Sequence, residues 1–390
     1  MSLSGPRLKV LISGAGIAGP CLAYWLSRTR LDVVITIVER SPVPRVTGQA
    51  IDIRGPAIEV VKAMRLEEAI RSRITQEEGT SILNSSGKAF ASFKAGDIFT
   101  AEYEILRADL AGLFLEATES LGGVSYMYGD SIKALEQTEK GANVTFAGGS
   151  KGTFDLVVAA DGSTSSTRTM ILDEEDLKNS YNFIGQYIAF FSIPSLPIAP
   201  NIWQWYNVPK GLCIMLRPHR NASTMGAYLC ITTPAHGKRD TVVEEAMEKG
   251  SDATKKMLHS YFENLGWEAK RVLQGMDSAS DFYMTKAAQV KLPKWTNGRA
   301  LVLGDAAHAT FGIGTSLAIE SAYILAGELS KIKSSDEVPQ ALERYEGVFR
   351  PLVPTACFST DFMGIGAEEF IVVGWHGGND LELPVYDWVK

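Results

Sequence analysis

An unbroken apolar run, Val10 to Ile12, stops at a cluster of glycines between Gly14 and Gly19, after which Leu22, Trp25 and Leu26 recur at helical spacing. The pattern predicts a buried strand over residues 8–13, a tight turn, and a helix over 21–28. Residues 33–38 form a continuous β-branched run, as a parallel strand covered on both faces requires, and complete a strand-helix-strand unit. Helical periodicity returns over 109–121, and an apolar strand over 153–160 runs into Asp161 and Gly162. From 181 to 233 the texture changes to short aromatic and β-branched runs, 186–193, 202–208, 212–216 and 225–232, separated by Pro, Gly and Asn; these read as an antiparallel sheet. A polar amphipathic helix follows over 241–265. Another buried strand, 299–303, then enters Gly304 and Asp305, and a glycine turn opens a long helix over 316–331. No internal repeat or linker separates these parts, so the sheet-rich middle reads as an insertion into a nucleotide-binding domain.

With 390 residues, 45% of them hydrophobic, the chain is long enough for two joined cores. A net charge of −7 leaves no basic excess for phosphate backbones, which argues against nucleic acid as a partner and leaves a small molecule. Cys21, Cys213, Cys230 and Cys357 lack CxxC spacing, so neither a zinc site nor a disulfide scaffold is expected, and they read as small buried hydrophobes. No segment reaches membrane-spanning length or resembles a signal peptide, and a cytoplasmic location is the default expectation.

The glycine cluster is a GxGxxG motif in the context its chemistry needs. Gly14 permits a tight turn, Gly16 lets a pyrophosphate approach the backbone, Gly19 allows close helix packing, and Ala15, Ile17 and Ala18 complete the turn into the helix N-terminus. Glu39, 20 residues past Gly19 at the end of the second strand, can accept from ribose hydroxyls. A carboxylate there disfavours a 2′-phosphate, so the dinucleotide held is NAD or FAD rather than NADP.

Taken together, residues 14–19, 158–162 and 304–308 resemble the three fingerprints of the p-hydroxybenzoate hydroxylase family of FAD-dependent monooxygenases, in particular its tetracycline-degrading members. The likeness implies FAD contacts at Gly14, Ala15, Gly16, Ile17, Ala18, Gly19, Glu39 and Arg40, at Asp161 and Gly162, and at Gly304 and Asp305, the last on the ribityl chain. It extends to Arg45 and Arg107 as arginines reaching the FAD, and a buried diphosphate does need charge-assisted donors. Gly312, Ile313 and Gly314 form the turn that would aim backbone N–H groups at the flavin ring, where charge collects on reduction.

The resemblance implies an α/β architecture, the p-hydroxybenzoate hydroxylase fold: a Rossmann-like FAD-binding domain (1–75, 100–175 and 275–345) interleaved with an antiparallel-sheet substrate domain (76–99 and 176–274). Residues 346–390 remain as a C-terminal segment. The implied activity is hydroxylation, epoxidation or Baeyer-Villiger oxidation of an aromatic or polyketide-like molecule, using O2 and NADH or NADPH as a transient reductant, through a flavin C4a-hydroperoxide. The protein would act as a monomer or homodimer. Alternation puts Trp203 and Trp205 on one sheet face with Tyr206 on the other, and Gln186, at the start of a strand, resembles a substrate-contacting glutamine. Met215 joins these as a candidate substrate contact. His308 is expected to pack beside the cofactor rather than to catalyse.

One departure stands out. Between Asp305 and Gly312 the chain lacks the proline usual in the family. That loop keeps open an FAD enzyme of the same fold performing oxidation or redox-neutral cyclisation; a non-catalytic flavoprotein that binds a small molecule is a separate alternative.

Overall fold

The computed structural model describes residues 7–44, 48–75, 77–96, 101–196, 201–234, 238–310, 312–353 and 383–388. Its larger core surrounds a six-stranded sheet in the spatial order Thr296–Asn297, Ala300–Val302, Leu156–Ala159, Leu8–Ser13, Val33–Glu39, Val124–Tyr128. The first pair is antiparallel and every other neighbour is parallel. Val10, Leu11 and Ile12 have no exposed surface, as the unbroken apolar run requires of a strand covered by helices on both sides.

Register decides where the motifs meet. Ser13 pairs with Ala159, and Ala159 with Val302. Three adjacent parallel strands therefore end level, and the loops beginning at Gly14, Ala160 and Leu303 leave from one edge of the sheet. In open α/β sheets that carboxyl edge is where ligands bind.

The apolar run expected as one strand over 153–160 is two. Lys151–Phe154 closes a separate three-stranded sheet against Gly141–Phe146, and only Leu156–Ala159 joins the main sheet. Asp155 makes the break, exchanging hydrogen bonds with the backbone of Lys9. A continuous apolar run does not reveal that its halves have different partners.

The inserted sheet has seven strands in the order Tyr283–Val290, Tyr181–Pro194, Thr224–Thr232, Leu212–Pro218, Trp203–Val208, Gly79–Leu83, Ala89–Lys94. It is antiparallel except where Trp203–Val208 lies parallel to Gly79–Leu83. That one parallel join corrects the expectation of a purely antiparallel sheet, and it arises because Gly79–Leu83 is distant in sequence from Trp203–Val208, with no hairpin between them to set its direction. Tyr283–Val290 also belongs here, beyond the boundary expected at 275. One face packs Tyr187, Phe191, Leu229 and Ile231 against Leu258, Phe262 and Leu273 of two helices. The helix expected over 241–265 is broken at Gly250 (φ +99°) into Thr241–Glu248 and Ser251–Phe262.

Among the described residues, no helix is long and apolar enough to cross a membrane. Cys21, Cys213 and Cys230 are free and buried, while Cys357 lies outside the described residues.

Candidate cofactor-binding site

The first loop is closed by sterics. A Cβ on Gly14 (φ +111°) would lie 2.4 Å from the Ala160 carbonyl oxygen, and one on Gly19 would lie 2.1 Å from the Gly14 carbonyl oxygen. Gly16 differs: a Cβ there would meet nothing within 4 Å. Two of the three glycines are thus demanded by the protein's own packing, and the third borders open space at the start of helix Ala18–Leu26. Glu39 reaches this loop, its Oε2 accepting from Ala15 N at 3.0 Å and its Oε1 from Ser41 N at 2.9 Å. Each oxygen retains a second lone pair for a ribose hydroxyl. Arg40 is exposed at the strand end, and Arg45 lies outside the described residues.

In the second loop Asp161 serves the loop itself. Its carboxylate accepts from Ser165 Oγ, from Thr167 Oγ1 at 2.9 Å and from Thr167 N at 3.2 Å. Thr167 Oγ1 lies 3.0 Å from Ser13 Oγ, which ties the second loop to the end of the first strand. Gly162 (φ +90°) has open space where a Cβ would point.

The third loop brings two helices together. A Cβ on Gly304 (φ +60°) would lie 3.0 Å from Ala18 Cβ and 3.5 Å from Ala318 Cβ, so the turn is wedged between helix Ala18–Leu26 and helix Gly314–Leu329. Asp305 follows, half-buried at the start of the short helix Asp305–His308. Burial raises its carboxyl pKa, against the pull of the nearby Arg107. Its Oδ1 would lie 3.0 Å from a Cβ on Gly314, which sets the carboxylate beside the glycine turn. Gly312 (φ +88°) and Ile313 lead into the N-terminus of Gly314–Leu329. Arg107 opens helix Arg107–Glu119, with its N–H on the Gln49 carbonyl at 3.0 Å.

His308 is buried, its ring between Trp295 and Phe349, and desolvation pushes its pKa down to about 3. It is a neutral packing group at ordinary pH.

The sheet face turned away from its helices carries Ile188, Trp205, Cys213, Met215, Tyr228 and Cys230, with Trp203 and Phe190 packed against them. Trp203 and Trp205 have ring centroids 4.7 Å apart, and Met215 pairs with Trp205 across the strands. Tyr206 points to the helix side and donates to the Ser85 carbonyl. Gln186 lies within the fourteen-residue strand Tyr181–Pro194 rather than at its start, because the strand extends through a bulge after Phe183. Its Nε2 donates to Thr232 Oγ1 at 3.2 Å. Tyr283, on the edge strand, donates to Gln49 Oε1, and Val290 N donates to the Ala309 carbonyl at 3.0 Å, so this sheet abuts both the Arg107 segment and the Asp305 loop.

Residues that sequence reasoning missed hold the loops in place. Arg168, nearly fully buried, donates to the carbonyls of Ala306 (3.0 Å) and Ser163 (2.9 Å). Ser316 Oγ accepts from Arg54 N at 2.9 Å, and Glu320 Oε1 accepts from Ala57 N at 3.2 Å; burial lifts the Glu320 carboxyl to about 7. The only sequence signal for Arg168 was a lone basic residue in a run of hydroxyl side chains.

An extended dinucleotide fits what is present: open space at Gly16 and Gly162, a helix N-terminus behind Gly16, a carboxylate at the ribose position, and Asp305 with Arg107 beyond. A family described as FAD binding domain matches residues 7–357. Monooxygenase CTB7 of Cercospora beticola is 33% identical over 99% of this chain and 99% of its own. FAD-dependent monooxygenase asL4 of Sarocladium schorii is 33% identical over 84% of this chain and 76% of its own. The crystal structure of tetracycline destructase Tet(51) superimposes with a TM-score of 0.76 at 30% identity, covering 89% of this chain and 87% of that one.

Proposed function

The chain belongs to the FAD binding domain family, and from that premise we propose that it is a monooxygenase taking two electrons from NADH or NADPH and placing one oxygen atom of O2 into an aromatic or polyketide-like small molecule. The observation that carries this reading is the convergence of three loops on one sheet edge beneath an aromatic sheet face, in a chain 30% identical to a tetracycline destructase. FAD is the cofactor, and once reduced it supplies the oxygen-activating chemistry.

The protein's part is position, charge and dryness. The open backbone at Gly16 and the N-terminus of Ala18–Leu26 would hold the diphosphate, and Glu39 the adenosine ribose. Asp305 and Arg107 would hold the ribityl chain. The N-terminus of Gly314–Leu329 would offer N–H groups and positive potential to the ring. Trp203, Trp205, Met215 and Gln186 would line the substrate side and keep water out.

The test uses the FAD-loaded protein and a panel of phenols, anthraquinones and tetracyclines. NADH or NADPH should bleach the flavin anaerobically, and one atom of 18O2 should appear in a product. A flavin that neither nucleotide bleaches would leave the binding-protein alternative, and product without 18O the oxidase or cyclase. Asp305→Ala should lower FAD occupancy, and unchanged occupancy would remove the ribityl role.

A further inference from the structure

The aromatic sheet face carries one charged group with no part in the scheme above. Arg217 is buried with its guanidinium 3.9 Å over the Trp203 ring. Its Nε donates to Glu77 Oε2 at 2.8 Å and its Nη2 to Glu104 Oε2. Glu104 is fully engaged, because its Oε1 accepts from Thr75 Oγ1 at 2.6 Å. Two carboxyls around a single buried cation leave one negative charge in excess. Burial and the Glu104 charge push Glu77 up to about 8 against the pull of Arg217, so the Glu77 carboxyl is largely protonated at neutral pH.

The cluster is joined to the cofactor side. Glu104 lies on strand Tyr103–Leu106, which runs directly into Arg107, and it pairs in register with Asp52.

Around the guanidinium, three buried polar atoms have no hydrogen-bond partner among the described residues: Glu77 Oε1, Trp203 Nε1 and Thr80 Oγ1. The Glu77 side chain is 2% exposed and Thr80 is 1% exposed. Thr80 is the register partner of Trp203, so both present their side chains on the same face. Buried polar groups are almost always paired, and three orphans beside one ion cluster mark a place where a partner is supplied from outside the chain. Their types are complementary. The indole N–H can only donate, the free Glu77 oxygen donates when the carboxyl holds its proton and accepts when it does not, and the threonine hydroxyl does either.

We propose that Trp203 Nε1, Glu77 Oε1 and Thr80 Oγ1 form a recognition subsite for a phenolic or enolic hydroxyl of the substrate, whose oxygen accepts from Trp203 and whose remaining hydrogen bonds are made with Glu77 and Thr80. This rests on the monooxygenase reading and deepens it: the substrate is a hydroxylated aromatic or enolised polyketide, oriented by a hydroxyl held at the sheet. Arg217 positions Glu77 and stacks on Trp203.

The test is a titration of FAD-loaded protein, followed by the flavin absorbance change, with 1,8-dihydroxyanthraquinone and its 1,8-dimethoxy counterpart. Wild-type protein should bind the dihydroxy compound at least tenfold more tightly. Trp203→Phe, which keeps an aromatic ring under Arg217 and removes the N–H with the five-membered half of the indole, should reduce that preference to threefold or less. Thr80→Val, close to isosteric, should narrow it as well, with thermal melts checking that both variants fold. Equal binding of the two compounds by wild-type protein, failure to bind either, or full preference in both variants would overturn the subsite. Anaerobic bleaching by NADH or NADPH on the same wild-type preparation separates the failures: protein that bleaches without the preference loses the subsite alone, and protein that does not bleach loses the monooxygenase reading.

Discussion

Arg168 donates to the carbonyl oxygen of Ala306 at 3.0 Å, and this bond links the loop after one central strand to the loop after its neighbour. Its other arm holds the Ser163 carbonyl, so a single buried guanidinium registers the Asp161 and Asp305 turns against each other. Replacing it with methionine keeps the stem and abandons two acceptors. Each acceptor left unsatisfied in the interior costs about 1–3 kcal/mol, so Arg168→Met should lower the melting temperature by several degrees. FAD affinity should fall at least tenfold in a fluorescence titration; unaltered affinity would show that the two loops hold their places without it.

Gly14 and Gly16 should fail in opposite ways. Gly14→Ala puts a Cβ 2.4 Å from a backbone oxygen at a positive φ, which costs about 1–3 kcal/mol in strain alone, and the apoprotein should melt earlier. Gly16→Val sets its Cβ in space where nothing of the protein lies within 4 Å, so apoprotein stability should stay within about 0.5 kcal/mol of wild type while FAD is no longer retained. Paired melts of apoprotein and flavin spectra of purified protein decide it. Retention of flavin by the valine variant would move the diphosphate elsewhere.

Gly327 makes room for the C-terminal segment. A Cβ there would lie 2.3–2.4 Å from three ring atoms of Tyr386, whose hydroxyl donates to Glu328 Oε1 at 3.0 Å. Trp388 packs nearby against Trp25 and Tyr323, and the Tyr323 hydroxyl donates to the Pro384 carbonyl. Alanine should favour the helix by about 1 kcal/mol on propensity. Gly327→Ala should nevertheless destabilise by about 1–3 kcal/mol, because overpacking evicts the ring. In a double-mutant cycle, Tyr386→Ser added to Gly327→Ala should cost little more; full additivity would mean the two residues are independent.

His308 makes stability depend on acid. Its folded pKa near 3 lies far below the ordinary 6.5, so the folded protein refuses a proton that the unfolded chain accepts. Its contribution is complete above about pH 6.5 and is lost as pH falls toward 3. His308→Gln should melt earlier than wild type at pH 7, with the gap closing at pH 4.5. A gap that stays constant between those pH values would show that the ring does not resist protonation.

Legibility in the sequence follows the range of the interaction. Gly14 and Gly304 could be recognised because each comes at the end of an apolar strand, and Gly19 by its fixed spacing from Gly14, since a turn's demand on its own residues is local. The alternation of Trp203, Trp205 and Tyr206 was readable for the same reason, since side-chain direction in a strand follows from pleat alone. Gln186 was misplaced within its strand because the polar and bulged residues before it read as a boundary. Arg168 could not be assigned a partner, because Ala306 lies 138 residues away and nothing near Arg168 encodes that distance.

By itself the sequence determined an opening strand-turn-helix unit, two further strand-to-loop junctions, and an inserted sheet with one aromatic face, since each depends on periodicity and on glycine within a few residues. Tertiary structure alone decided that the three junctions leave one edge in register and that Trp203–Val208 runs parallel to Gly79–Leu83. It alone set Arg217 between Glu77 and Glu104, and Tyr386 in the space left by Gly327. Such pairings are chosen by the closure and burial of distant segments around a shared core, and the order of apolar and polar residues along the chain leaves that choice open.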